Sequence, residues 1–104
     1  MERILITEDI LLKNGFIYFL TKDSEKEAYE EIWGLDEFKM YTICTNEENF
    51  IKIDMMYKCT NNGAEWHMHL DNDNCESIGS ADISYIDQFN KMMEIFDSSF
   101  RIYK

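Results

Sequence analysis

Ten residues, Trp66-His67-Met68-His69-Leu70-Asp71-Asn72-Asp73-Asn74-Cys75, hold two histidines, two aspartates and a cysteine. Imidazoles two positions apart on a strand share a face and can chelate a transition metal, with Asp71, Asp73 or Cys75 completing the shell. His67, His69 and Asp71 are therefore the candidate metal ligands, and a metal-dependent enzyme is one function such a face would serve. The same pattern has a plainer cause. Trp66, Met68 and Leu70 form a core-facing row, the histidines a solvent-facing row, and Asp71-Asn72-Asp73-Asn74 is turn chemistry. We expect that strand-and-turn arrangement, with no resident metal or cofactor. The run from Asp71 to Ser77 echoes a calcium loop, but Glu76 stands where that loop needs glycine and Cys75 replaces an oxygen ligand.

Other chemistries find less support. A cysteine–histidine pair built on Cys75 would need an electropositive setting, whereas Asp73 and Glu76 surround it with negative charge. Gly15, Gly34, Gly63 and Gly79 are scattered singly, so no phosphate-binding loop, dinucleotide fingerprint or nucleophile elbow exists. Cys44, Cys59 and Cys75 form no CxxC pair, and an odd number of cysteines fits reduced thiols.

Charge is the strongest compositional signal. The chain has 21 acidic against 10 basic residues, a formal net charge of −11, among 104 residues. Phosphate backbones and anionic membrane surfaces should repel it, because binding there depends on cationic side chains. Between Asp23 and Glu37 stand seven acids and one base, Lys26. That run is either a solvated helix face or a docking surface for a basic protein, and Glu27, Glu30, Glu31, Asp36 and Glu37 are its candidate contact residues.

The length suits one domain, and 45% hydrophobic with 14% aromatic residues is the make-up of a folded chain. No apolar run approaches a membrane span, and the acid-bearing start, MERILITEDILLK, does not read as a signal peptide. The expected address is the cytoplasm. Thr7 caps an expected helix over Glu8–Lys13, with Asn14-Gly15 as its stop. Phe16–Leu20 reads as a strand. Ser24 and Glu27 have capping-box spacing ahead of a second helix, with Ala28, Tyr29, Ile32 and Trp33 at helical intervals and Gly34 to end it. Phe38–Thr45, Phe50–Cys59 and Ala64–Asp71 follow as strands of a β-meander, joined by a loop at Asn46-Glu47-Glu48 and a hairpin turn at Asn61-Asn62-Gly63. The stretch from Asp71 to Gly79 reads as a polar loop. From Ala81 to Phe96, Ile83, Ile86, Phe89, Met93 and Phe96 recur at helical spacing, with Ser80 as N-cap and Asp82 complementing the dipole. Phe100–Tyr103 reads as a short terminal strand. The expected class is α+β: an antiparallel sheet of four or five strands, a long C-terminal helix packed on one face, and one or two short N-terminal helices. The seven methionines read mainly as core, and any left exposed would favour a protein contact, a second copy of this chain included.

The segments ITEDILLKNGF and ISYIDQFNKMMEIFDSSFRI resemble the two ends of a group of small proteins from gut Bacteroidales and their phages. The resemblance lies in the threonine–acid opening that runs through leucines and lysine to Gly15-Phe16, and in Tyr85-Ile86-Asp87-Gln88-Phe89-Asn90. That group usually has histidine where this chain has Asp87. The resemblance implies an intracellular protein of phage or prophage origin and carries over no catalytic residue. Together with the charge, it points to a non-enzymatic interaction protein, an inhibitor of a host protein with a basic surface. A small-molecule binding domain is the alternative, alongside the metal-dependent enzyme.

Overall fold

The computed structural model describes residues 3–19, 23–45 and 51–104. Helix α1 spans Glu8–Lys13, as the capping signals predict. Thr7 Oγ1 accepts from the Ile10 amide at 3.3 Å, satisfying a donor that the first turn cannot pair internally. The short strand β1 is Ile17–Tyr18, less than the run of five expected, and Leu20 lies outside the described residues. Helix α2 spans Asp23–Trp33. It begins ahead of Ser24, so Ser24 sits within the first turn instead of capping it.

Strands β2 (Glu37–Cys44), β3 (Lys52–Thr60), β4 (Gly63–Asp71) and β5 (Ser77–Asp82) complete an antiparallel meander in the order β1-β2-β3-β4-β5. The alternation in β3 does what period two dictates. Ile53 pairs with Ile43 and Leu70, Met55 with Tyr41 and Met68, and Tyr57 with Lys39 and Trp66. These rows form the inner face, covered by Ile10 and Leu11 of α1, by Phe89 and Met93 of the last helix, and by Ile102. Phe16, Phe89 and Phe100 meet edge to edge with centroids 6.1–6.2 Å apart, the favoured aromatic geometry. The expected loop at Asn46-Glu47-Glu48 lies outside the described residues. At the β3–β4 hairpin Thr60 pairs with Gly63. The left-handed conformation falls on Gly63 alone, at φ 121°, and not on the asparagines before it.

Three expectations fail at the end of the chain. Residues 77–82 are a fifth strand, and the last helix, α3, is Ile86–Ile95. Ser80 and Asp82 are thus strand residues that pair with His69 and His67, and Ile83 extends the ladder by donating its amide to Trp66 O at 3.0 Å. The edge of β4 carries backbone groups that need partners, and that demand overrides the helical spacing of the side chains. Helix α3 starts where Gln88 Oε1 accepts from the amides of Ser84 and Tyr85 at 2.8 and 3.0 Å. At ten residues it is not long. Phe100–Tyr103 forms no strand. Two asparagine side chains hold that tail instead: Asn90 bonds both backbone groups of Ile102, and Asn14 both of Tyr103, at 2.7–3.1 Å.

Helix α2 lies on the outer face. Phe38, fully buried, meets Tyr29 and Trp33 at centroid distances of 5.1 and 5.0 Å, forming a small aromatic cluster separate from the inner core. No helix among the described residues is long and apolar enough to cross a membrane.

Candidate functional site

Helix α2 orients its acids by how it packs. Tyr29 and Trp33 turn toward Phe38, so Glu27 and Glu31 are exposed on the far side and Glu30 is half-buried between. Ala28 and Ile32, placed by spacing on the packed stripe, are exposed; Ile32 is 74% exposed and Trp33 43%. Among the described residues, Phe38 is the sheet aromatic that meets the helix, and Tyr29 and Trp33 cover it. Lys58 Nζ sits 4.6 Å from the centre of the Trp33 ring and closes one side of the cluster. Asp36 is exposed in the turn after α2, its amide bonded to Cys59 O at 2.8 Å. Glu37 is different. Alternation with Phe38 sends its side chain to the inner side of the sheet, away from α2.

There Glu37 joins a second feature. Glu37, Lys39 and Tyr41 alternate along β2 and, with Tyr57, Trp66 and the Ile6–Glu8 approach to α1, line a cleft of about 310 Å3. Lys39 Nζ bridges Glu37 at 3.2 Å and Glu8 at 3.4 Å. The bond to Glu37 chiefly raises the Lys39 pKa above the ordinary lysine value, and burial works against it. The Tyr41 phenol lies near Glu8 and is the main influence lowering that acid, with Lys39 contributing. Tyr41 is 1% exposed, and burial followed by the neighbouring Glu8 pushes its own pKa up, so the hydroxyl keeps its proton. Despite its closeness to Glu8, Tyr41 Oη makes no hydrogen bond of acceptable geometry. Trp66 Nε1 is committed to Ile6 O at 3.1 Å. Tyr57 and Trp66 have centroids 5.2 Å apart, and Tyr41 and Trp66 5.8 Å, giving the cleft an aromatic wall. The signal of this cleft in the sequence is Glu37 with Lys39, two charges at alternate, inward positions of β2.

The histidines share the outer face of β4, as their spacing requires, and each has a carboxylate. His67 Nδ1 is 2.8 Å from Asp82, and His69 Nε2 is 3.0 Å from Asp71. Among the described residues no three His, Cys, Asp or Glu side chains are grouped to hold a metal. Asn72 Oδ1 accepts from the amides of Asn74 and Glu76 at 2.9 and 3.0 Å, so the residues after β4 form an asparagine-centred turn. No family model, curated protein or solved structure matches this chain. Beside the histidines, Met40 and Met56 pair across β2 and β3 and are only half-buried. Thr42 Oγ1 and Asp54 Oδ1, on directly opposed residues of that face, are buried without hydrogen-bond partners among the described residues.

Proposed function

We propose that the protein is a non-enzymatic interaction module that docks a basic protein partner through α2. The observation that carries this reading is an apolar side chain on an acidic helix: Ile32 is 74% exposed, Glu27 and Glu31 are exposed on the same helix, and Trp33 is partly exposed at its end. Interfaces concentrate binding energy in such an anchor and use surrounding charge to choose and steer the partner. The complementary surface is an apolar pocket rimmed by lysine or arginine, a description that fits many nucleic-acid-binding grooves. Under the resemblance to phage chains, the partner would be a host protein and the module its inhibitor.

A pull-down from host lysate supplies a partner, and surface plasmon resonance then tests the mode of binding. Reversing Glu27, Glu30 and Glu31 to lysine should slow association about tenfold or more, and raising salt should slow the unaltered protein in the same way. Ile32→Ser should act on dissociation instead. An association rate indifferent to both salt and charge reversal rules out α2 as the docking face.

A further inference from the structure

We infer that the cleft between the inner face of β2–β4 and the start of α1 binds a small organic cation bearing an ammonium group. Three features of the cleft converge on that chemistry. Its wall is aromatic, with the rings of Tyr41 and Tyr57 inclined at 53° and 58° to that of Trp66. Rings so arranged attract a cation through their quadrupoles while an alkyl portion packs against them. Its rim holds two carboxylates, Glu8 and Glu37, against the single ammonium of Lys39, leaving a local excess of negative charge in a chain of net charge −11. Its buried hydroxyl, Tyr41 Oη, lies against Glu8 but makes no hydrogen bond of good geometry among the described residues. A buried hydroxyl whose neighbour is poorly aligned can take a better-aligned partner from a ligand.

The sign of the ligand follows from Lys39. Its ammonium is already engaged by both carboxylates, so an anion entering the cleft would have to break those pairs and face the two freed acids. A cation meets the reverse situation. It can donate to Tyr41 Oη and rest on the rings of Tyr57 and Trp66, while the flexible Lys39 stem swings outward and yields one carboxylate to it. Lys39 is thus the internal competitor of the ligand. The cleft volume of about 310 Å3 is at the small end of ligand sites and limits the occupant to a compact molecule. This cleft and the α2 docking face lie on opposite sides of the sheet, so either can fail without the other.

The test is isothermal titration of the full chain with benzylammonium and with cyclohexylammonium, using benzoate as the anionic control. Saturable binding of one cation per chain, with none for benzoate, is expected. Glu8→Gln with Glu37→Gln should weaken it about tenfold or more, and Tyr41→Phe, which keeps the ring, should weaken it severalfold. Lys39→Met should strengthen cation binding by removing the competitor, an outcome no anion site would give. A merely apolar pocket would bind benzoate as well as benzylammonium. Glu27→Gln with Glu31→Gln, on the other side of the sheet, should change nothing. Absence of saturable cation binding, equal binding of benzoate, or weaker binding in the Lys39→Met variant would each overturn the assignment. If the double glutamine variant loses its folded circular dichroism, the Tyr41→Phe and Lys39→Met arms decide the matter.

Discussion

Lys39 shows how one residue in an inward position reorganises its surroundings. Its ammonium holds Glu37 and Glu8 and cannot sink into the core, so the sheet opens into a cleft at that point instead of closing over it. The pKa shifts give a stability test with a definite sign. Glu8 is lowered from 4.5, so its contribution is present above the ordinary carboxylate range and is lost as pH falls through the folded value. Lys39 is raised from 10.5, so its contribution is present below the ordinary lysine value and is lost as pH rises through the folded one. Urea unfolding of Glu8→Gln against the parent should therefore show a difference at neutral pH that disappears once acidification has passed the folded value of Glu8, below its ordinary range. A difference that persists unchanged at low pH would mean that Glu8 acts by packing alone. On the outer face the expectation reverses. Thr42 Oγ1 is buried and unpaired, so Thr42→Val should be neutral or stabilising, by up to about 1 kcal/mol, in the same measurement. A loss of more than that would show that the hydroxyl has a partner in solution.

The contact between α3 and β5 rests on one close approach. Phe96, at the end of α3, lies over Gly79 of β5 so closely that a Cβ there would stand 2.7 Å from the ring. Gly79→Ala should cost about 1–3 kcal/mol in chemical denaturation, by forcing the ring out of place. Adding Phe96→Leu should recover part of that loss, because the two sites share one space. Equal losses in the single and double variants would deny the contact. Phe89→Ala should cost more, about 3–5 kcal/mol, since Phe89 is fully buried between Phe16 and Phe100. The same region shows what local sequence could convey. The α1 cap at Thr7 and the alternation of β3 are short-range patterns, and both were legible. The boundary between β5 and α3 was not. Ile83, Ile86, Phe89 and Met93 keep helical spacing across it, and what ends the strand is pairing with β4 and the reach of Gln88 to the amides before it. The tail was hidden for a related reason: Asn14 and Asn90 act on backbone 89 and 12 residues away. Of the candidate sites, the acids of α2 and the histidine row could be read directly. The cleft could not, because it depends on bringing three strands and the start of α1 together.

At the scale of the whole molecule, charge and coverage work against each other. The inner face is closed by α1, α3 and the tail, while the outer face has α2 over Phe38 and a half-buried row of Met40, Met56 and His67 beyond it. Across this frame −11 net charges repel one another, and compaction brings them closer than the unfolded chain does. The ion pairs Arg3–Asp87 and Lys91–Glu94 are exposed and contribute little. Repulsion should therefore dominate the response to salt. Raising sodium chloride from about 0.05 M to about 0.5 M shortens the screening length to several ångströms, which weakens long-range repulsion more than pairs in direct contact. The melting temperature should rise over that range. Glu27→Lys with Glu31→Lys removes part of the excess from the most acidic element, so its melting temperature should start higher and rise less. Both effects concern the folded state alone, so they can be measured by differential scanning calorimetry without any partner. A melting temperature that falls with salt would mean that attractive pairs outweigh the repulsion. The acidic face of α2 would then be part of the molecule's internal electrostatic balance instead of a surplus held for a partner.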